Sequence, residues 1–291
     1  MTSTLGVDLE YNSKQKTIVL LGGTGSFCTH FTKFLIDRPE IGTIRIFSRD
    51  EFKQSEMQKK LNSDKLRFFI GDVRDEKRVQ SALYQADIVI HAAAMKQVPA
   101  CEYNPQEAVK TNIGGTENVI SACLDQGVER AIFISTDKAV DPINLYGSTK
   151  LVAEKVWLNA NNVHRTKFSL TRWGNVISSR GSVIPLFEEQ AKTGTVTVTH
   201  KDMTRFLISL DEAVEFAWFV LGTMTGGETF IPELPSARVV DIARLVAPRA
   251  EIEYIGVREG EKLHETLGAR YFSNDKHRLL DMKELKKLLC R

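Results

Sequence analysis

The apolar run Thr17-Ile18-Val19-Leu20-Leu21 feeds without interruption into Gly22-Gly23-Thr24-Gly25-Ser26-Phe27-Cys28. A short continuous apolar run of this kind forms a central parallel strand covered on both faces. Glycine at 22 and 25 allows a tight turn and a close approach of backbone to a pyrophosphate, and Phe27, Phe31, Phe34 and Leu35 keep helical spacing to about Asp37. The phosphate would lie at that helix's amino terminus, among Gly22, Thr24, Gly25, Ser26 and Phe27. Strand, glycine turn and helix in this order predict an α/β chain of the Rossmann type, a doubly wound parallel sheet. The pattern Gly-x-x-Gly-x-x-Cys departs from the usual one at Cys28, where a third glycine normally lets the helix pack closely on the strand. A small apolar thiol predicts a slight shift rather than loss of the site.

Further strands follow at suitable intervals. Residues 44–47 end in Ser48-Arg49-Asp50, followed by Lys53. An acidic residue here holds the hydroxyls of an adenosine ribose, whereas Arg49 and Lys53 suit a 2′-phosphate, so the expected cofactor is NADP rather than NAD, with Asp50 pointing the other way. Residues 66–70 end in Gly71-Asp72-Val73, whose carboxylate either receives an adenine amino group or caps the next helix. Residues 87–90 end in His91-Ala92-Ala93-Ala94, where small side chains let a flat cofactor pass; His91 itself reads as a core histidine. A helical pattern then runs from about Pro105 to Gln126 and contains Asn112, expected to lie over the sheet near the cofactor.

The densest chemistry sits in Ser135-Thr136-Asp137-Lys138-Ala139-Val140-Asp141-Pro142-Ile143-Asn144-Leu145-Tyr146-Gly147-Ser148-Thr149-Lys150, after the apolar run of residues 131–134. Pro142 keeps the preceding residues out of helix, so a helix is expected from about Asn144, with Tyr146 and Lys150 on one face. An ammonium beside a phenol favours the phenolate, so the pair could act as a base near neutrality.

Beyond this stretch, residues 167–172 read as a strand ending in Trp173-Gly174-Asn175-Val176, and Ser179-Arg180-Gly181-Ser182-Val183-Ile184-Pro185 opens a helix whose first amides could face a diphosphate. Residues 195–199 alternate as a strand, and Asp211 is expected to cap an apolar helix to about Met224. The predicted organisation is a tail (1–16), a nucleotide-binding core (17–173, with 207–224 returning to it) and a smaller substrate-binding lobe (174–206 and 225–291).

With 39 basic and 37 acidic residues among 291, the formal charge is +2 and there is no long one-sided run, which gives no case for nucleic acid or an anionic membrane. The polar amino terminus and the lack of a long apolar run predict no signal peptide or membrane span. Cys28, Cys101, Cys123 and Cys290 are far apart and show no metal-ligand spacing, so a reduced cytoplasmic protein without a metal is expected.

These residues resemble the extended short-chain dehydrogenase/reductase superfamily, which pairs such a glycine turn with Tyr-x-x-x-Lys. More narrowly, the segments beginning at Ser48, Gly71, Tyr103-Asn104-Pro105 and Ser135, with Pro142 to Gly147, look like the inverting UDP-N-acetylglucosamine 4,6-dehydratases. The resemblance implies a 4-keto-6-deoxy-L-hexosamine nucleotide as product, a UDP-sugar substrate and a homo-oligomer, dimer or hexamer. It implies catalytic roles for Thr136, Asp137, Lys138, Tyr146 and Lys150: Tyr146 as base at the sugar's 4-hydroxyl, neutral Lys138 as base at carbon 5, and protonated Asp137 as acid at the 6-hydroxyl. It also implies cofactor contacts at Val73, Ala92, Ala93, Ala94 and Lys96, and substrate contacts at Lys96, Asn175, Ser182, Val183, Thr204, Arg205, Arg258 and Glu261, with the two arginines clamping phosphates. On the residues alone, each arginine reads equally as a surface ion-pair member. Cys28, Trp173 and Glu259 depart from the family's pattern. A retaining dehydratase, a 4-epimerase and a cofactor-sensing protein without catalysis are the alternatives.

Overall fold

The computed structural model describes residues 15–289 except 164, 178, 180, 269, 270 and 277. Arg180, Cys290 and all but the last two residues of the expected tail lie outside the described residues. Strands and helices alternate as β1 (Lys16–Leu21), α1 (Ser26–Ile36), β2 (Ile41–Ser48), α2 (Glu51–Leu61), β3 (Leu66–Ile70), α3 (Glu76–Leu83) and β4 (Ile88–His91). Then come α4 (Val98–Tyr103), α5 (Pro105–Val109), α6 (Gly115–Gln126), β5 (Arg130–Thr136), α7 (Leu145–Asn159) and β6 (Lys167–Trp173). The chain next leaves the sheet for β7 (Asn175–Val176), α8 (Val183–Ala191), β8 (Thr195–Val198) and β9 (Thr204–Ile208), and comes back as α9 (Leu210–Thr223) and β10 (Thr229–Phe230). It ends in β11 (Ser236–Arg238), α10 (Val239–Val246), β12 (Glu251–Tyr254), β13 (Thr266–Gly268), β14 (Tyr271–Phe272) and α11 (Met282–Leu289).

The central sheet is parallel throughout, in the order β3-β2-β1-β4-β5-β6-β10. Its pleat sends Ile18 and Leu20 to one face, against Phe31, Leu35 and Trp218. Val19 and Leu21 go to the other, against Val79, Val119 and Trp157. Both faces are therefore core, which is why the strand reads as an unbroken apolar run. The chain order reverses between β1 and β4, and a crevice opens there at the carboxyl ends of the strands, where such sheets hold ligands. A separate lobe core is built on Ile184, Phe187, Val196, Val240, Ile242 and Leu285. Among the described residues no helix is long and apolar enough to cross a membrane, and no group of His, Cys, Asp or Glu is placed to hold a metal ion.

Three expectations are corrected here. Thr229 and Phe230, assigned to the lobe, pair in parallel with Leu170 and Thr171 and form the sheet edge; two residues are too few to carry a pattern. The helical run from 105 to 126 is interrupted by a π-helical turn, Lys110–Gly114. The cap of α9 is Ser209, not Asp211: the Ser209 hydroxyl accepts from the Glu212 amide at 3.1 Å and Glu212 accepts from the Ser209 amide at 2.9 Å, a reciprocal capping box. Asp211 stands in the first turn and meets His30 at 2.5 Å.

Candidate active site

A cavity of about 1000 Å³ follows the carboxyl edge of the sheet from Asp72 to Arg258. At its nucleotide end Gly22 has φ +80°, and a Cβ there would come within 2.9 Å of the Ala92 and Ala93 backbone, so positive φ and close approach both demand glycine. Gly25 caps α1 without a side chain, which leaves the first amides of the helix facing the cavity beside Thr24, Ser26 and Phe27. Cys28 packs with Ile18 and Leu20, and burial pushes its thiol up to about 12.

At the end of β2, the Asp50 carboxylate is engaged within its own helix turn. It caps α2 by accepting from the Lys53 amide at 3.0 Å, and it pairs with the Lys53 ammonium at 2.5 Å. Ser48, Arg49, Asp50 and Lys53 all line the cavity, and Arg49 lies 3.8 Å from Asp72. Asp72 and Val73 line it too, and Asp72 is not a helix cap, for α3 is capped by Asp75. Burial would raise the Asp72 carboxyl, but bonds from Arg74 Nε at 3.0 Å and Nη2 at 2.7 Å outweigh it and hold the group below the usual range.

Ala92, Ala93, Ala94 and Lys96 line the middle of the cavity, whereas Asn112 does not reach it. Its side chain accepts from the Met95 amide at 2.8 Å and donates to the Met95 carbonyl and the Thr149 hydroxyl, each at 2.9 Å. Asn112 therefore fastens the exit of β4 to α7 from within the π-helical turn. His91 is a core residue as read: it lies between Phe133 and Trp157, bonds Thr116 Oγ1 at 3.0 Å, and is kept neutral by burial, its pKa pushed down to about 3.

The catalytic stretch straddles β5 and α7. Asn144 caps α7 by accepting from the Gly147 amide at 2.8 Å, and its amide nitrogen donates to the Gly260 carbonyl at 2.8 Å. Gly147 sets the helix against the turn at Asp137–Ala139, because a Cβ there would lie 2.2 Å from the Lys138 carbonyl oxygen. Lys150, 2 % exposed, donates to the Ile134 carbonyl at 2.7 Å and stands 3.5 Å above the Phe133 ring. Burial brings it down to about 7, against the pull of Glu154.

The expectation that Lys150 lowers the phenol of Tyr146 is corrected. Burial pushes Tyr146 up to about 12, and the groups that pull it back are Lys138 and Thr136. Lys150 is held instead against the carbonyl and the ring.

The expected neutral Lys138 is corrected as well. Burial disfavours its ammonium, but Asp137 Oδ1 at 3.0 Å and Glu265 Oε1 at 3.4 Å win, and its pKa lies above the ordinary lysine value. Asp137 is fully buried; Oδ1 also accepts from the Thr136 hydroxyl at 3.0 Å, and Oδ2 has no hydrogen-bond partner among the described residues.

At the lobe end Asn175, Ser182, Val183, Arg205, Arg258 and Glu261 line the cavity. Ser182 caps α8 without a side-chain bond, and its buried hydroxyl has no partner among the described residues. Arg205 is anchored by Nη1 on the Thr204 carbonyl at 2.8 Å. Thr204 points to the opposite face of β9, its hydroxyl bonded to His264 at 2.8 Å and Ser273 at 2.7 Å, so its expected place at the substrate is corrected. Glu265 lines the cavity and was not singled out in the sequence. It is one of several charges between Glu259 and Glu265, and nothing local marks which of them is buried.

The chain matches the family model described as "Polysaccharide biosynthesis protein" over residues 18–287. It is 48% identical to the UDP-N-acetylglucosamine 4,6-dehydratase (inverting) of Campylobacter jejuni, over 90% of this chain and 79% of that one. It is 44% identical to the UDP-glucose 4-epimerase of Rickettsia conorii, over 87% of this chain and 77% of that one. Among solved structures, Pen from Bacillus thuringiensis superposes with a TM-score of 0.90 at 35% identity, covering 95% of this chain and 98% of that one.

Proposed function

Because this chain belongs to the polysaccharide biosynthesis protein family, we propose that it is an NADP-dependent, inverting 4,6-dehydratase of UDP-N-acetylglucosamine. The observation that carries the reading is the Lys138–Asp137 pair at 3.0 Å, set beside Tyr146 at the cavity. A plain oxidoreductase or epimerase needs the tyrosine; elimination of water needs a second acid and base as well.

The Gly22 turn, the open amides of α1 and the small residues Ala92 to Ala94 fit a nicotinamide dinucleotide, with Tyr146 and Lys150 at its far end. Asp50 is engaged by Lys53, which leaves Arg49 facing the ribose and favours a 2′-phosphate. A bound nicotinamide would supply a reversible hydride acceptor, for hydride leaving carbon 4 and returning at carbon 6, so that no net oxidation would occur.

Tyr146, ionised against burial with the help of Lys138 and Thr136, takes the proton of the 4-hydroxyl, and the resulting ketone makes the hydrogen on carbon 5 acidic. Lys138 rests as an ammonium, so the base is prepared by moving one proton along its contact with Asp137 Oδ1. That shift yields a neutral amine and a protonated carboxyl together. Lys138 Nζ then removes the proton from carbon 5, Asp137 gives its proton to the departing 6-hydroxyl, and carbon 5 takes a proton from solvent on the opposite face while Tyr146 returns to solvent the one it took. Ser182 Oγ and the first amides of α8, with Arg205 and Arg258, would hold the diphosphate. We place the enzyme in the cytoplasm as a homo-oligomer, dimer or hexamer.

Purified protein incubated with UDP-N-acetylglucosamine in heavy water, without added cofactor, should give a 4-keto-6-deoxy product with deuterium at carbon 5, read by proton NMR. The Rickettsia relatives favour a second reading, 4-epimerisation. An epimer that keeps its 6-hydroxyl would establish that reading instead. Arg49→Ala should weaken NADP binding about tenfold and leave NAD binding nearly unchanged, in a titration of the cofactor-free protein.

A further inference from the structure

The charges around Lys138 come from every element that meets it. Asp137 shares its turn, Tyr146 comes from α7, Lys96 from the segment after β4, Arg205 from β9, and Glu265 from the segment that leads into β13. Lys262 stands behind, 3.7 Å from Glu265 Oε2. Glu265 is 2 % exposed, and Oε2 has no hydrogen-bond partner among the described residues. A carboxylate taken out of water and left short of hydrogen bonds opposes folding unless a charge compensates it.

Its position is nonetheless fixed firmly. The Glu265 amide donates to Ser273 Oγ at 2.9 Å, and its carbonyl accepts from the Ser273 amide at 2.9 Å. Ser273 Oγ is bonded in turn to Thr204 Oγ1 at 2.7 Å. The lobe thus brings a carboxylate on a fixed stretch of backbone to within 3.4 Å of Lys138 Nζ.

Resting on the dehydratase reading above, we propose that Glu265 is a positioning residue for the elimination: with Asp137 it clamps the Lys138 ammonium and governs when that amine releases its proton. Glu265 exchanges no proton with the sugar. In the step it supports, the C5–H bond breaks and N–H forms on Lys138, while the C6–O bond breaks and the oxygen leaves as water with the proton from Asp137. By acting on the amine from the lobe, Glu265 ties the base to a seated lobe.

The test is a titration of the purified full chain labelled with ¹³C at lysine Cε, in which Lys138→Met identifies the Lys138 signal. An opposite charge this close moves a titration by about 1–3 pH units, so Glu265→Gln should lower the Lys138 midpoint by that amount, and Glu265→Asp by less. In turnover, the falling alkaline limb of kcat against pH should shift down with it while KM holds, because the step needs the one proton that Lys138 and Asp137 share. An unmoved midpoint in both variants overturns the proposal, as does a uniform loss of rate with an unshifted profile, which marks Glu265 as scaffold only. Should Glu265→Gln fail to fold, the Glu265→Asp midpoint decides alone. A shifted midpoint in a protein whose wild type forms no dehydrated sugar overturns the dehydratase reading, and with it the link to elimination, while the charge coupling stands.

Discussion

Lys138 and Lys150 reach the same cavity from adjoining elements, and although burial disfavours both ammonium groups, their pKa values end on opposite sides of the ordinary lysine value. Among the described residues Lys150 meets a carbonyl and a ring face at close range, while the nearby Glu154 carboxylate is already engaged by Arg172 at 2.5 Å; the Lys150 amine falls to about 7. Lys138 meets two carboxylates, and its amine rises. Depth alone therefore decides nothing about a buried lysine. The aim of the surrounding carboxylates does, and it gives one site both an easily neutralised amine and a persistent cation.

The comparison breaks most severely when one partner is removed. Lys138→Ala should lower product formation by about 10³–10⁴-fold, measured by NMR of the ketone. It also takes the close cation from buried Asp137 and leaves Glu265 with Lys262 at 3.7 Å, so at neutral pH the fold should lose about 3–5 kcal/mol in denaturant titration. A Lys138→Ala protein that keeps full activity would remove the elimination chemistry from this pair.

Tyr146→Phe should cost about 10²–10³-fold in the same assay and leave the Lys138 titration almost in place, because Tyr146 touches the first proton transfer and not the second. Melting temperature against pH then separates the two lysines by sign. Lys150 is lowered on folding, so between about 7 and about 10.5 the unfolded chain binds more protons and this residue makes stability rise with pH. Lys138 is raised, so its contribution is complete below the unfolded lysine value and is lost as pH climbs through the folded one. Lys150→Met should flatten the first slope; an unchanged slope would show that the amine is not held as described. The smallest effect is a control: Ser209→Ala removes the capping box of α9, remote from both lysines, and should cost about 1 kcal/mol with turnover unchanged.

Much of this site could be read from the chain because it is local. The apolar runs of β1 and β5, the glycine turn, the Pro142–Asn144 helix start and the Tyr146–Lys150 spacing each depend on neighbours a few residues apart. What could not be read depends on where a polar side chain is aimed. Asn112 and Thr204 lock backbone segments instead of facing the cavity, and no pattern around them says so. Glu265 acquires its meaning only when the lobe folds back on the β5 turn, and Thr229–Phe230 join the sheet through pairing with β6 alone. The charge on Lys138 escapes a local reading for the same reason, since its second carboxylate comes from far along the chain.

Gly147 sets a manufacturing tolerance for the whole arrangement. The gap between α7 and the β5 turn is as narrow as a backbone carbonyl permits, since even one added carbon would sit 2.2 Å from the Lys138 oxygen. Any side chain there would pry the tyrosine's helix away from the lysine's turn, misaligning two chemical steps at once while leaving every reactive group intact. A chain with a perfect inventory of acids and bases could thus be inert for want of an empty place.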